Sequence, residues 1–232
     1  PTAAIPAAAL SHPDADQLVR MLAYGKPVTV RLDLDCGVVG EYTGANVIGE
    51  ITGHKYPDQV VVIGGHLDSW DLGTGAIDDG AGVAIAMAAA KLIRDLPQRP
   101  DRTIRVIAFA NEEMGLWGGR AYAEKHGNEL AKFQLGSESD FGAGPVWRMS
   151  ASVKPSARGA IEQIANVLAP IGVAYDAGRP GSGGPDLSPM HAKGMAALSL
   201  TQDGTHYFDW HHTANDTPDK IDTKELAHNM AV

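Results

Sequence analysis

The amino-acid sequence predicts an α/β sandwich built on a largely parallel central sheet, and three observations lead there. Short apolar runs alternate along the chain with helical stretches, the pattern of strand–helix–strand units. The run from Gln59 to Ile63 (QVVVI) is apolar without alternation, as expected of a strand covered on both faces. Acidic and histidine residues fall directly after the strands, where open α/β sheets form their ligand sites.

Taken in order, residues 28 to 35 (VTVRLDLD) alternate apolar and polar positions and predict a strand with one buried face. QVVVI follows and ends in Gly64-Gly65. Asp79 to Leu96, rich in Ala, Ile and Met, predicts a helix stopped by Pro97. Thr103 to Ala110 (TIRVIAFA) is strand-like, Leu116 to His126 helical, and Phe133 to Leu135 a shorter strand. Ala157 to Leu168 predicts a helix and Asp186 to Lys193 a short one. Met195 to Thr201 predicts a strand, and a final helix starts at Thr223.

The bulk properties narrow the function. The chain has 232 residues, enough for one sizeable core, with 44% hydrophobic and 20% charged residues. A formal net charge of −9 and the lack of a Lys/Arg run argue against nucleic acid or an anionic membrane as partner. The apolar stretch from Ala81 to Ile93 is far shorter than the roughly 20 residues that span a bilayer. Pro1 to Leu10 lacks a basic leader and reads as a processed or trimmed start. The single cysteine, Cys36, excludes an intrachain disulfide and a multi-cysteine zinc site, and reads as a small buried residue at a strand end.

The chemistry lies at the strand ends. His66-Leu67-Asp68 follows the 59–63 strand and its glycines, and Glu112-Glu113 follows the 103–110 strand. Asp140 follows the strand near 135, and His211-His212 lies after the 195–201 strand. Each group alone has an ordinary explanation: a satisfied surface pair, a solvated helix face, or, for Asp78-Asp79, a helix cap. Four strand ends delivering metal-type ligands to one sheet edge is a much rarer coincidence. Zinc accepts histidine nitrogen and carboxylate oxygen, and a catalytic site keeps one position open. In two-metal hydrolases the ions sit about 3.5–4 Å apart, so one ligand bridges them. Three carboxylates and a bridging hydroxide would balance the charge of two zinc ions, and adjacent glutamates can divide metal binding from work on water.

The run GGHLDSWDLGTGAIDDGAG (Gly64 to Gly82) resembles the di-zinc aminopeptidase and glutamate carboxypeptidase superfamily, most of all the carboxypeptidase Q group and its bacterial relatives. FANEEMG (Phe109 to Gly115), ESDFG (Glu138 to Gly142) and YFDWHHTANDTPDKID (Tyr207 to Asp222) extend the match from about residue 40 to the end. The resemblance implies a three-layer α/β/α sandwich with a mixed, largely parallel sheet. It implies two zinc ions per chain, with His66, Asp78 as the bridge, Glu113, Asp140 and His212 as ligands. Glu112 becomes the general acid/base acting with a metal-bridging hydroxide, and Asp68 the second catalytic residue, orienting His66. His211 could replace His212, but the family's His-(Ser/Thr)-x-x-Asp-Thr spacing favours His212. The family places a cis peptide at the position of Asp78–Asp79.

Further expectations follow from the same resemblance. Residues 1–35 match the exit of a protease-associated domain and 36–232 the catalytic domain, whose final helix continues in relatives beyond Val232. Relatives are mostly exported, which implies a periplasmic or secreted protein. The implied activity is exopeptidase hydrolysis beside a free N-terminus, on small peptides or dipeptides. Aminoacylase-type relatives insert a second domain before the last ligand, and the stretch from Asp140 to His212 is too short for one. A non-catalytic binding relative that keeps the fold should have lost a ligand or the base, and here all six positions are filled.

Outside the motif, Gly178 to Gly184 (GRPGSGG) lacks a phosphate-loop ending and reads as a mobile loop before Asp186, a candidate substrate contact. Tyr207, Phe208 and Trp210 are candidate pocket walls or core aromatics. His12, His54, His126, His191 and His228 read as surface or structural residues.

Overall fold

A computed structural model describes residues 7–35, 37 and 40–232. It divides into two compact units, Pro1–Thr43 and Gly44–Val232.

The first unit carries helix α1 (His12–Ala23). Ser11 caps it by accepting a hydrogen bond from the Asp14 N–H, and Pro13 sits in its first turn, where a missing N–H costs nothing. The strand predicted over residues 28–35 is not formed. Its apolar set points to solvent instead, with Val30 61% and Leu32 59% exposed. Alternation prepares a face, but a strand persists only beside a neighbour that completes its hydrogen bonds, and no described strand pairs with this segment. Cys36 lies outside the described residues.

The second unit holds, in order, β1 (Val47–Ile51), β2 (Tyr56–His66), α2 (Ala81–Asp95), β3 (Arg102–Phe109), α3 (Trp117–His126), β4 (Phe133–Glu138), β5 (Val146–Ser152), α4 (Arg158–Leu168), β6 (Ala174–Tyr175), α5 (Ser188–Ala192), β7 (Ala197–Gln202), α6 (Tyr207–Trp210) and α7 (Thr223–Ala231). Sheet order is β1-β3-β2-β4-β7-β5-β6. The four central strands, β3, β2, β4 and β7, run parallel. Antiparallel β1 and β5 flank them, which makes the sheet mixed as expected.

Alternate residues of β2 serve the two faces. Val60 and Val62 pack with Ile107, Phe109, Phe133 and Tyr122 of α3, and with Leu187 and Met190. Val61 and Ile63 face Ile85, Ala89 and Ile93 of α2 and Val232 beyond α7. That is the three-layer sandwich. A second core gathers Val146, Met149 and Leu198 under Ile161 and Leu168 of α4. The chain passes from β2 through α2 to β3 on one side, then crosses back through α3 to β4 on the other side of β2, so the direction of winding reverses there. The crevice beyond the carboxyl ends of β2, β3, β4 and β7 is therefore a topological switch point, where α/β sheets bind ligands.

The alanine-rich composition of α2 has a packing reason. A side chain at Gly82 would put its Cβ 1.9 Å from the Ser139 carbonyl oxygen, and one at Gly65 would lie 2.8 Å from the Val83 nitrogen. Only small residues let the helix start press onto the ends of β2 and β4.

Candidate metal centre

Each element delivers a side chain to that crevice. His66 is the last residue of β2 and only 1% exposed. Its Nδ1 lies 2.9 Å from the Asp68 carbonyl oxygen, and its Nε2 is 3.0 Å from Asp78 Oδ1 and 3.5 Å from Asp140 Oδ1. Asp68 was expected to orient His66. The structure assigns that contact to its backbone carbonyl, with the carboxylate 3.7 Å away. The carboxylate instead accepts hydrogen bonds from the N–H groups of Glu112 (2.9 Å) and Glu113 (3.2 Å), locking the loop after β3 onto the loop after β2.

Asp78 enters from a tight turn, Ala76–Gly80, ahead of α2, and its peptide bond to Asp79 is cis. The turn is held from across the chain. Asp216 accepts hydrogen bonds from the N–H groups of Ile77 (2.5 Å) and Asp78 (3.2 Å), while Asp79 accepts from those of His66 (3.0 Å) and Gly82 (3.1 Å). The two carboxylate oxygens of Asp78 face different partners. Oδ1 faces His66, and Oδ2 lies 3.1 Å from His212 Nε2 and 3.2 Å from His211 Nε2. The two histidine rings stack with centroids 3.5 Å apart. His212 alone of the pair also reaches Glu113, at 3.0 Å from Oε2.

The electrostatics suit cations. Among the described residues, the ion pairs of Asp78, Asp140 and Glu113 are all with histidines, and no lysine or arginine reaches them. Burial opposes the charged form of His66, but hydrogen bonds to Asp140 and Asp78 and the charge of Asp79 outweigh it and lift its pKa to about 12. Burial and then the Asp78 charge push Glu113 up to about 7, and burial followed by Asp140 raises Glu112. Asp79 and Glu138 are pushed well up, chiefly by burial. A buried carboxylate oxygen of Glu113, Oε1, has no hydrogen-bond partner. Among the described residues, three groups have ligand atoms within 4.8 Å of one another: His66, Asp78 and Asp140; Asp78, His211 and His212; and His66, Glu112 and Glu113. Mixed nitrogen and oxygen donors with unmatched negative charge fit zinc.

The remaining predicted residues lie nearby but not on the open surface. Asp186 is fully buried (0% exposed), accepting from the Gly119 N–H and donating its own N–H to Glu138 Oε2. It braces α3 beside the site. Tyr207 is buried and stacks on Phe141 with centroids 4.4 Å apart. The segment 178–184, expected to be mobile, is pinned. The Gly183 carbonyl accepts from the Glu138 N–H at 2.7 Å, and Ser199 Oγ takes the N–H groups of Ser182 and Gly183. A cleft of about 680 Å³ opens beside Asp140, lined also by Phe141, Arg148, Arg179 and Gln202.

A family model described as peptidase family M28 matches residues 46–232. The chain belongs to this family. Carboxypeptidase Q of Xenopus laevis is 37% identical over 215 residues, covering 92% of the chain and 45% of that protein. A crystal structure of a peptidase M28 precursor from Shewanella amazonensis superposes with a TM-score of 0.88 at 52% identity, over 94% of this chain and 49% of that one. BSAP, a zinc aminopeptidase from Bacillus subtilis, shares the fold (TM-score 0.61, 24% identity, 80% of this chain and 48% of that one). The chain thus spans about half the length of these relatives. Family membership makes the chain a relative of metallopeptidases. Among the described residues no helix is long and apolar enough to cross a membrane.

Sequence reasoning missed two residues of the site. Asp216 was noticed only as a spacing mark, and Trp70, whose indole N–H donates to Glu113 Oε2 at 2.7 Å, was passed over inside its motif. Both act through contacts between segments far apart in the chain, which no local pattern encodes.

Proposed function

We propose that the protein is a di-zinc exopeptidase that hydrolyses the peptide bond beside the free N-terminus of small peptides or dipeptides. One observation supports the two-ion reading most: the oxygens of Asp78 face His66 on one side and His212 on the other. Asp78 is the bridge, His66 and Asp140 complete one position, and Glu113 and His212 the other. Zinc held there supplies Lewis acidity, polarising the scissile carbonyl and easing deprotonation of water near neutral pH.

The chain's own residues do the rest. Glu112 is half-buried, with a raised pKa, on the loop that Asp68 fixes. Its carboxylate takes a proton from the attacking water as the C–O bond forms. It returns that proton to the leaving amine nitrogen as the C–N bond breaks, and a raised pKa suits both halves of that exchange. The Asp68 carbonyl fixes the ring of His66. The 178–184 segment and Phe141 wall the adjacent cleft, which receives the substrate.

Mass-spectrometric analysis of dipeptides and longer peptides, with free or acetylated N-termini, tests the reading. Loss of residues from free N-termini alone is expected. Cleavage of acetylated peptides from the carboxyl end would replace it with a carboxypeptidase, and no cleavage by zinc-loaded protein would favour a non-catalytic binding relative. The family resemblance also supports export to the periplasm or beyond the cell, which fractionation of the native host would check.

A further inference from the structure

We infer that Trp70 is a positioning residue that sets the zinc affinity of the Glu113/His212 position and leaves the His66/Asp140 position alone. This rests on the two-ion reading above. Trp70 lies four residues beyond His66, on the loop after β2, and is 47% exposed, so core packing does not account for its placement. Its indole N–H donates to Glu113 Oε2 at 2.7 Å. The same ring tilts 43° against the His212 ring with centroids 5.3 Å apart. Trp70 therefore touches both terminal ligands of one ion position, and among the described residues no hydrogen bond or ring contact joins it to His66 or Asp140.

The chemistry of that contact is directional. An indole has one donor and no acceptor, while a carboxylate offers about four lone-pair positions on two oxygens. One hydrogen bond from Trp70 fixes the plane of the carboxylate and leaves three positions for a cation. Glu113 needs this help, because among the described residues its Oε1 has no hydrogen-bond partner and its backbone N–H is held by Asp68. The ring face against His212 limits that imidazole to the orientation in which Nε2 approaches Asp78 Oδ2 and Glu113 Oε2. Outer partners of metal ligands act in this way, and losing one typically lowers metal affinity about 10–100-fold.

Trp70→Phe separates the hydrogen bond from the packing, since phenylalanine keeps a ring beside His212 and loses the N–H. Stepwise zinc affinities are measured by competition with a chromophoric chelator. Weakening of one of the two binding steps by about 10–100-fold is expected, with the other step unchanged and the metal-free proteins melting alike. Trp117→Phe is the control, because that exposed indole donates to the Met114 carbonyl, and both steps should match wild type. In wild-type protein the Trp70 indole ¹H–¹⁵N signal should move on one of the two binding steps, the one that Trp70→Phe weakens, a readout that needs no folded variant. Two unchanged steps in Trp70→Phe, or an indole signal indifferent to zinc, would overturn the assignment while leaving the two-ion site intact. Wild-type protein that binds fewer than two ions would overturn the two-ion reading and this inference with it.

Discussion

Glu112 and Glu113 are chain neighbours given different environments, and that difference predicts different phenotypes. Glu113 contacts His212 and Trp70, whereas Glu112 shares none of those bonds. Glu112→Gln keeps the shape and removes the proton carrier. Turnover should fall by about 10²–10⁴ while zinc content stays at the wild-type level, checked by steady-state kinetics beside metal analysis. Asp186 gives a second prediction. Burial and then the charge of Glu112 raise its carboxyl from 3.8 to about 7 in the metal-free protein. A carboxyl with a raised folded-state pKa contributes stability that is fully present below pH 3.8 and is lost as the pH rises through about 7. Asp186→Asn keeps an acceptor for the Gly119 N–H and abolishes that titration. The metal-free variant should match wild type near pH 4 and melt higher at pH 8, and equal melting at both would show that Asp186 carries no such cost. The ligand-type residues were legible in the sequence because zinc chemistry restricts them to a few residue types at strand ends. Trp70, Asp216 and the burial of Asp186 were not, because each depends on which distant backbone comes alongside.

The junction between β2 and α2 carries the site's geometry at the scale of elements. Gly82 sits where α2 meets the segment after β4, with an added Cβ 1.9 Å from Ser139 O and 2.3 Å from Asp79 Oδ1. Gly82→Ala must push the helix away from the strand ends that carry His66 and Asp140. Overpacking of this kind costs about 1–3 kcal/mol, and each kcal/mol lowers the melting temperature by about 2–4 °C in a domain of this size. Zinc affinity should fall with it. Gly159→Ala, in the exposed first turn of α4 with nothing within 4 Å of the new methyl, should instead gain about 0.4–1 kcal/mol. Calorimetry of the two variants checks both signs. Elements were legible in proportion to their burial. β2 and β3 are central and apolar, so their runs stood out, whereas β1 is a largely exposed edge strand and β5 carries Trp, Arg and Ser among its apolar residues. The 28–35 segment failed in the opposite sense, with the right alternation and no neighbour to pair it.

Across the whole molecule, the acidic balance is concentrated where the strands end. The formal net charge is −9, and the crevice alone gathers Asp78, Asp79, Glu112, Glu113, Glu138, Asp140 and Asp186. With metal bound, cations offset the nearest of these charges. With metal removed, their mutual repulsion acts at the switch point that joins β2, β3, β4 and β7, so the loss should loosen the sandwich as a unit. Anything bound only to the folded state stabilises it by the mass-action relation, about 4 kcal/mol when free ligand exceeds its dissociation constant 1,000-fold. Chelation at pH 7 should therefore lower the melting temperature by several degrees, and restoring zinc should reverse the change. Added salt should rescue the metal-free protein only slightly, because screening acts poorly on charges buried as deeply as Asp78 and Asp79. Lowering the pH toward 5 should rescue it more, by protonating Glu113 and Asp186, whose carboxyls burial lifts to about 7. Scanning calorimetry of metal-free protein across salt and pH separates the two. A rescue by salt as large as that by acid would place the destabilising charge on the surface instead of at the strand ends.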